Sequence, residues 1–360
     1  MNPKVITTAA GIETLFQQAG AAKVQAAILQ PAETLLDLYG EDIRARAYVT
    51  SDPLRGEQML RPDFTVPVVQ MHMEQGAEPA RYTYNGVVFR RQEDDASRAN
   101  EYLQVGYEVF DRSNPAETDA EVFALIQNAL GDAPVQATVG DIGILMSAVD
   151  GLNTSERRKS ALRRHIWRPK RFRTLLDRFA GRVETPAARQ ALIASGDPMA
   201  QAVPQIGLRS AAEVAERIDV LKSDAALAPI SATEVDLIET ILQVRETCPD
   251  ALAQLRDIAV DLPSITGAVT RLGERFEALD AHGVETFTLM FEASYGRTSM
   301  EYYDGFVFGF HATDHAGLSP IATGGRYDAL TQQLGKGDAI PAVGGVIRPD
   351  LLIQIAGGAS

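Results

Sequence analysis

The stretch FRRQEDDASRANEYLQVGYEVF, residues 89–110, carries the pattern that decides the fold. It begins with two arginines beside an aromatic residue, continues through a polar segment, and ends in a run of alternating side chains. Alternation with a period of two is typical of a β-strand, and it places Gln104, Gly106 and Glu108 on one face. Polar side chains that share a face, close to two arginines, can converge on a phosphorylated nucleotide, a zwitterionic amino acid, or both.

The composition is that of a large globular protein. The chain has 360 residues, 45% of them hydrophobic, and can bury a sizeable core as one large domain with a second embedded in it, or as two domains. The single cysteine, Cys248, allows no disulfide within the chain and no cysteine-based zinc cluster. Neither a signal-peptide pattern nor a window of roughly 20 apolar residues is present. We therefore expect a soluble, cytoplasmic protein.

The formal net charge of −14 argues against a broad affinity for nucleic acid, because the mean field of the protein repels phosphate backbones. One basic run contrasts with this background: RRKSALRRHIWRPKRFR, residues 157–173, has nine lysines and arginines. It can be a helix with a solvated face followed by a basic loop after Pro169. It can also be a contact for an acidic partner or an anionic ligand, and the sequence leaves both interpretations open.

Short β-rich runs occupy two separate parts of the chain. The first extends over residues 47–110 and the second begins after residue 283, whereas the pattern between about 150 and 282 is almost entirely helical. Strands, then helices, then strands again predict one largely antiparallel sheet into which a helical block is inserted. We therefore predict an α+β fold with a core formed by residues 1–149 and 283–360 and a helical insertion at 150–282.

Local signals refine this outline. Residues 5–40 are predicted to be helical with a break at Pro31, and FTVPVVQMH (64–72) is counted among the β-rich runs. Asn85-Gly86, between two apolar and aromatic runs, is a turn signal. Two capping boxes predict the starts of helices: Ser210 with Glu213, and Ser231 with Glu234.

Other motifs carry little chemistry by themselves. The glycine-rich patterns that bind phosphates in nucleotide-binding loops do not occur. HATDH (311–315) has a metal-ligand spacing only if it lies on a helix, and the glycines on either side indicate a loop instead. Cys248 lies at the end of an amphipathic run, where a structural role is expected. We predict neither a metal nor a cofactor.

Six short segments form an ordered series along nearly the whole chain: LRPDFTVP (60–67), YNGVVFRRQ (84–92), EYLQVGYEVF (101–110), EYYDGFVF (301–308), GGRYDAL (324–330) and PAVGG (341–345). In this order, on both sides of a helical block, they resemble the catalytic core of histidyl-tRNA synthetase, a class II aminoacyl-tRNA synthetase. GGRYD and EYYDGFVF, which is similar to RGLDYYTGTVFE of the synthetase, are specific to the histidine branch. The resemblance implies a class II core with a mainly antiparallel sheet flanked by helices.

The same resemblance implies a histidine pocket. Asp63 and Thr65 match the place where the synthetase holds the amino group of its substrate, and Arg90 matches the arginine that faces the substrate carboxylate. The remaining matches are Gln104 and Glu108, on the strand after the motif 2 loop, and Tyr303 and Tyr327, around the imidazole. The competing interpretation is ordinary polarity on a half-exposed sheet, with the two tyrosines packed only for structure.

Three positions depart from the synthetase where it handles ATP. Gln92 replaces the glutamate of the Phe-Arg-x-Glu pattern, Thr298 stands where an arginine precedes the LDYY-like segment, and Leu351 takes the place of the motif 3 arginine. Arg297 and Arg348 are nearby but out of register. Adenylation needs positioned cations at the phosphate oxygens, so these losses predict a degenerate ATP site. The chain also ends soon after motif 3, which predicts that no anticodon-binding domain follows.

A synthetase core with a histidine pocket, without the ATP-handling residues and without a tRNA-reading domain, resembles the regulatory subunits of short-form ATP phosphoribosyltransferase. The resemblance implies a non-catalytic role in the first step of histidine biosynthesis. It further implies activation of a separate catalytic subunit, histidine as a feedback effector, and a hetero-octamer built on the class II dimer, without tRNA or membrane. The alternatives are a histidine-activating enzyme or amino-acid ligase, and a scaffold that binds no histidine.

Overall fold

The computed structural model describes residues 2–39, 43–92, 98–199, 207–298, 302–315, 317–335 and 337–357. The strands are β1 (Ala22–Lys23), β2 (Leu29–Pro31), β3 (Val49–Asp52), β4 (Gly56–Leu60), β5 (Ala80–Phe89), β6 (Glu101–Phe110), β7 (Val135–Asp141), β8 (Arg245–Thr247), β9 (Met290–Glu292), β10 (Phe306–Ala312), β11 (Ala322–Arg326) and β12 (Ala342–Ile347). The helices are α1 (Pro3–Gln18), α2 (Ala32–Tyr39), α3 (Ile43–Arg46), α4 (Thr65–Gln75), α5 (Pro115–Leu130), α6 (Ile142–Gly151), α7 (Glu156–Arg164), α8 (Pro169–Phe179), α9 (Ala187–Ala194), α10 (Ala211–Ala225), α11 (Ala232–Gln243), α12 (Cys248–Asp261), α13 (Thr266–Ala281), α14 (Asp328–Leu334) and α15 (Pro349–Gly357).

One large sheet joins the two β-rich parts of the chain. Its order is β1-β5-β6-β12-β11-β10-β7-β9-β8, and the pairings are antiparallel except for β1 with β5 and β7 with β9. A second sheet contains β2, β4 and β3. The central pairing of β6 with β12 brings residues 101–110 next to residues 342–347, more than 200 positions later in the chain. The predicted α+β class, with a mainly antiparallel sheet, is confirmed.

The two faces of β6 have different neighbours. On one face Tyr107 packs against Phe16 of α1, with ring centroids 5.4 Å apart, and its hydroxyl donates to Glu121 of α5 at 2.6 Å. On the other face lie Gln104 and Glu108, and both are buried. The strand is therefore covered on both sides, and its polar face is buried in the interior rather than exposed to solvent.

A buried ion network fastens the helices to this sheet. Arg275 of α13 donates to Asp119 of α5 and to Asp141 at the end of β7, at 2.7 Å each. Arg326 of β11 donates to the same Asp119, with the shortest separation 2.8 Å. Because all four side chains are buried, removing one partner would leave an uncompensated charge in the interior.

Helix starts follow the sequence signals closely. At Ser210 and at Ser231 the serine side chain accepts from the backbone N–H three residues later, and the glutamate at that position returns a bond to the serine N–H. Both predicted capping boxes are confirmed. In the described part of the chain, none of the helices combines the length and apolar character that a membrane crossing requires.

Three local predictions were wrong. Residues 22–23 and 29–31, inside the segment predicted to be helical, form the short strands β1 and β2, because they pair with β5 and β4. FTVPVVQMH lies mostly in α4, where its apolar side chains pack into the core. Asn85-Gly86 makes no turn: both residues continue β5, where they pair with Val105 and Gln104. In each case a partner distant in the chain outweighs the local signal.

Candidate functional site

A buried carboxylate, that of Glu108, lies at the centre of the site. Its Oε1 accepts from the hydroxyls of Thr65 and Tyr84, at 2.9 Å each, and its Oε2 accepts from the Tyr327 hydroxyl at 2.6 Å. Only 1% of the glutamate is exposed. A carboxylate has about four acceptor positions, so three donors leave room for about one more hydrogen bond. The arrangement suits a ligand that presents an N–H group.

Strand geometry sets the position of this carboxylate. Glu108 pairs with Gly344 of β12 and with Tyr82 of β5. A Cβ atom at Gly344 would overlap the Glu108 carboxylate, and one at Gly106 would overlap the Tyr84 ring. Both positions thus require glycine because the Glu108 and Tyr84 side chains pass over them. The sequence PAVGG was noted for its resemblance, and its second glycine, Gly345, packs instead against Phe308 and Ile126.

The pKa values of this cluster are strongly perturbed. Burial raises the pKa of Glu108 to about 7, although the three hydroxyl donors stabilise its ionised form and the nearby Asp63 opposes ionisation. Burial, followed by the charge of Glu108, raises the pKa of both Tyr84 and Tyr327 well above the usual value. The phenols therefore remain protonated donors at neutral pH, while the glutamate can change its charge in that range.

Two further buried polar residues lie near Glu108, Gln104 on β6 and Asp63 just before α4. Gln104 is only 3% exposed, and its Oε1 has no hydrogen-bond donor among the described residues. Asp63 is also buried, and its Oδ1 accepts from the Val66 N–H at 3.3 Å. A buried amide oxygen without a donor is costly and is normally satisfied by water or by a ligand. Gln104 therefore offers an acceptor to a ligand that carries N–H groups.

Arg90 lies at the rim of the same pocket. Its Nε donates to the carbonyl of Pro62 at 2.8 Å, which fixes the stem of the side chain beside Asp63. Its charge lowers the pKa of Tyr303, against the raising effects of burial, Glu108 and Asp63. The charge of the guanidinium thus acts on the cluster.

Tyr303 and Tyr327 are placed by one shared support. The carboxylate of Asp304 accepts from the backbone N–H groups of Asp328 at 3.1 Å and Ala329 at 2.5 Å, at the start of α14. Burial raises the pKa of Asp304 to about 7. These two hydrogen bonds hold Asp304, which follows Tyr303, against Asp328 and Ala329, which follow Tyr327. The positions of the two buried tyrosines are therefore linked.

The positions matched to ATP handling have other partners. Gln92 Nε2 donates to the Ala99 carbonyl at 3.2 Å, Thr298 is exposed, and Leu351 is buried in α15. Arg297 donates from Nε to the Ile166 carbonyl at 2.9 Å. Gln92 and Arg297 are thus bound to backbone carbonyls, whereas Leu351 is apolar and buried.

Arg348, the arginine near the motif 3 position, contacts an aromatic ring and a carboxylate. Its guanidinium lies 4.0 Å from the Tyr102 ring centroid, and its Nη2 donates to Asp350 at 3.0 Å. Tyr102 shares the Gln104 face of β6, because the two positions are two residues apart. Sequence reasoning missed this pair, and it missed Tyr84 as a donor to Glu108. An aromatic residue that pairs with a glycine across β5 and β6 is the signal that could have found Tyr84.

Other candidates from the sequence have structural partners. His311 lies in β10 rather than on a helix or in a loop, and its Nε2 is 3.0 Å from the Tyr295 hydroxyl. No three His, Cys, Asp or Glu side chains are grouped for a metal ion in the described part of the chain. Cys248 is the first residue of α12 and is buried, which raises its thiol pKa to about 12.

The basic run at residues 157–173 lies in α7 and α8, and its predicted loop after Pro169 was wrong, since α8 begins there. Proline is well suited to the first position of a helix. Arg158 is buried and donates to Asp224 at 2.7 Å, and Arg173 pairs with Glu239 at 3.0 Å. Part of the run therefore binds carboxylates of the helical block itself.

Comparisons with known proteins place this geometry in context. The family model described as Histidyl-tRNA synthetase matches residues 4–227 and 207–352. Curated proteins called ATP phosphoribosyltransferase regulatory subunit, from Brucella canis and Brucella ovis, are each 31% identical over 93% of this chain and 93% of their own length.

Solved structures share the fold. An ATP phosphoribosyltransferase regulatory subunit/histidyl-tRNA synthetase from Bacillus halodurans superposes with a TM-score of 0.69 and 19% identity, covering 98% of this chain and 79% of the other. Histidyl-tRNA synthetase from a Nostoc species gives a TM-score of 0.65 and 18% identity, covering 99% and 72%. These likenesses extend over both strand blocks and the helices between them.

Proposed function

Since this chain belongs to the family of ATP phosphoribosyltransferase regulatory subunits, within the wider histidyl-tRNA synthetase family, we propose that it is the non-catalytic subunit of such an enzyme. In this role it activates a separate catalytic subunit that joins ATP to phosphoribosyl pyrophosphate, the first step of histidine biosynthesis. The observation that carries the proposal is the likeness to regulatory subunits over 93% of the chain at 31% identity.

The pocket around Glu108 is the proposed effector site, and histidine is the proposed effector. Neutral imidazole and ammonium both present N–H donors, and the pocket offers acceptors on Glu108, Asp63 and Gln104. Arg90 is the proposed cation for the carboxylate of the ligand, and Tyr303 and Tyr327 are the proposed partners of its imidazole. Acceptors for an ammonium group, a cation for a carboxylate and phenols for an imidazole together match a zwitterionic histidine.

The absence of catalysis is proposed from the other half of the cleft. Activation of an amino acid by ATP builds charge on the α-phosphate, and each lost donor costs about 2.7–4 kcal/mol of transition-state stabilisation, by analogy with oxyanion-hole deletions. Leu351 is buried and apolar, and Arg297 is held by a backbone carbonyl. With these groups the cleft binds the amino acid without activating it, and the protein does not charge tRNA.

Feedback inhibition in this proposal is an allosteric coupling. Histidine shifts the assembly only if it binds the inhibited state more tightly than the active state. The proposed assembly is a hetero-octamer of four regulatory and four catalytic chains, built on a dimer of the class II core. A histidine-activating enzyme is the second candidate, because the family model that matches is that of the synthetase.

Calorimetry and reconstitution test the proposal together. The purified chain is titrated with histidine and separately with ATP, and it is then combined with a short-form catalytic chain and assayed with and without histidine. We expect heat from histidine and none from ATP, co-purification of the two chains, and histidine-dependent inhibition. Histidine-dependent pyrophosphate exchange, or a complex that ignores histidine, would contradict the regulatory assignment.

A further inference from the structure

Two hydrogen bonds connect the effector pocket to the helical block. The indole Nε1 of Trp167 donates to the backbone carbonyl of Tyr303 at 3.1 Å. From the other direction, Arg297 Nε donates to the carbonyl of Ile166, the neighbour of Trp167, at 2.9 Å. Ile166 and Trp167 form the turn between α7 and α8, within the block predicted to be an insertion. The turn therefore contacts Tyr303 and Arg297 through one hydrogen bond each.

Trp167 is partly buried, and the residues around the Arg297 contact are fully buried. Ile166 and Phe172 are buried at 0% and 1% exposure, and the Arg297 guanidinium is 5.0 Å from the Phe172 ring centroid. Close-packed protein interiors transmit displacements, because their side chains have little free volume to absorb them. A shift of Arg297 or Tyr303 would therefore be passed to the start of α8, which carries Phe172.

Tyr303 is the pocket residue most directly affected. Its phenol lies near enough to Glu108 and Asp63 that their charges, after burial, raise its pKa. Its ring meets that of Tyr302 edge-on at 5.0 Å, and Tyr302 in turn meets Tyr327 at 6.0 Å. A ligand that reaches between these rings must change their arrangement, and the carbonyl that Trp167 contacts belongs to Tyr303 itself.

Building on the proposed function, we infer that Trp167 is a positioning residue of the effector pocket and that the helical block, residues 150–282, is the element through which occupancy of the pocket is communicated. The indole fixes the Tyr303 carbonyl, and through it the phenol that faces the ligand. Histidine acts on Tyr303, Tyr303 acts on Trp167, and the turn between α7 and α8 moves or stiffens in response. Trp167 itself touches no ligand.

Fluorescence tests the coupling without altering the protein. Trp167 is the only tryptophan in the chain, so its emission reports this turn alone. The chain is titrated with histidine under the conditions of the calorimetric titration, with leucine as the control ligand. We expect the emission to change with the same dissociation constant as the heat, and this dissociation constant to rise by about 10- to 150-fold in Glu108→Gln. An emission that stays constant while calorimetry shows saturation would refute the inference.

The substitution Trp167→Phe tests the hydrogen bond in the complex with the catalytic chain. Phenylalanine keeps an aromatic ring in the turn but removes the N–H donor. A neutral hydrogen bond of this kind corresponds to about a 2- to 12-fold effect, expected as weaker histidine binding or as incomplete inhibition at saturating histidine. Tyr295→Phe, which removes the 3.0 Å contact with His311, is the matched control and should leave the histidine response at the wild-type level.

The outcomes separate this inference from the proposed function. If wild-type protein neither binds histidine nor confers inhibition, the proposed function fails. If wild type binds and confers inhibition while Trp167→Phe, folded as judged by its thermal transition, matches it in affinity and in maximal inhibition, only the inference fails. Should Trp167→Phe not fold, the wild-type fluorescence titration decides the question alone.

Discussion

Replacing Glu108 with glutamine removes the charge at the centre of the pocket while conserving its shape. In the wild type, Glu108 accepts three hydroxyl hydrogen bonds and retains about one acceptor position for a ligand. In Glu108→Gln the amide oxygen can still accept from Thr65 and Tyr84, and the amide nitrogen can donate to the Tyr327 oxygen. We therefore expect a folded protein whose main loss is the ionic acceptor for histidine.

The size of the effect follows from the type of bond that is lost. A hydrogen bond to a charged group contributes about 1.5–3 kcal/mol, and every 1.4 kcal/mol corresponds to a tenfold change in affinity. Histidine affinity should consequently fall by about 10- to 150-fold. Because the pKa of Glu108 is raised to about 7, the comparison belongs near pH 8, where the wild-type carboxylate is ionised.

Calorimetric titration with histidine at pH 8 measures this change, and inhibition of the reconstituted complex provides a second readout. Glu121→Gln is the matched control: Glu121 also accepts from a tyrosine, Tyr107, and from Arg81, but on the opposite face of β6. It should retain the wild-type affinity for histidine. If Glu108→Gln bound histidine as tightly as the wild type, the effector site would have to lie elsewhere.

Three further predictions concern the free energy of unfolding and the affinity for histidine. The stability contribution of a carboxyl whose folded pKa exceeds its unfolded pKa is largest below the unfolded pKa and is lost as the pH rises through the folded pKa. For Glu108 the folded pKa is about 7 and the ordinary value is 4.5. The free energy of unfolding of the wild type, measured relative to Glu108→Gln, should therefore fall by about 3 kcal/mol between pH 4.5 and 7. Denaturant titrations across this range measure it, and a constant difference would contradict the burial argument. Gly344→Ala should lower histidine affinity by at least about tenfold, because the added Cβ would displace the Glu108 carboxylate. A calorimetric affinity equal to that of the wild type would disprove this. Ser231→Ala should lower the free energy of unfolding by about 1 kcal/mol through loss of the capping box while histidine affinity stays unchanged, as denaturant and calorimetric titrations can check.

Much of the architecture follows from periodicity and from capping signals. The run from 101 to 110 forms β6 as its alternation predicts, and both capping boxes start helices where expected. The errors occur where local and distant forces disagree. The Asn85-Gly86 pair prefers a turn in isolation, yet ten consecutive pairings with β6 hold β5 extended through it. Apolar residues 64–72 fit a strand or a buried helix, and periodicity alone does not distinguish the two.

Sequence patterns named the side chains of the proposed site but not their surroundings. Alternation placed Gln104 and Glu108 on one face, and the resemblance to a synthetase added the tyrosines and Asp63. Neither source indicated that Glu108 would be 1% exposed, that its pKa would be raised to about 7, or that Gln104 Oε1 would have no donor among the described residues. These properties depend on what covers the polar face of β6.

By itself, the sequence determined which residues share a strand face and which families the motifs resemble. Only the tertiary structure decided what those residues touch. Tyr327 and Glu108 are 219 positions apart and meet at 2.6 Å, and Trp167 reaches the Tyr303 carbonyl across 136 positions. Periodicity is a property of neighbouring residues, whereas burial, pKa and coupling arise from contacts that form only when distant segments pack together.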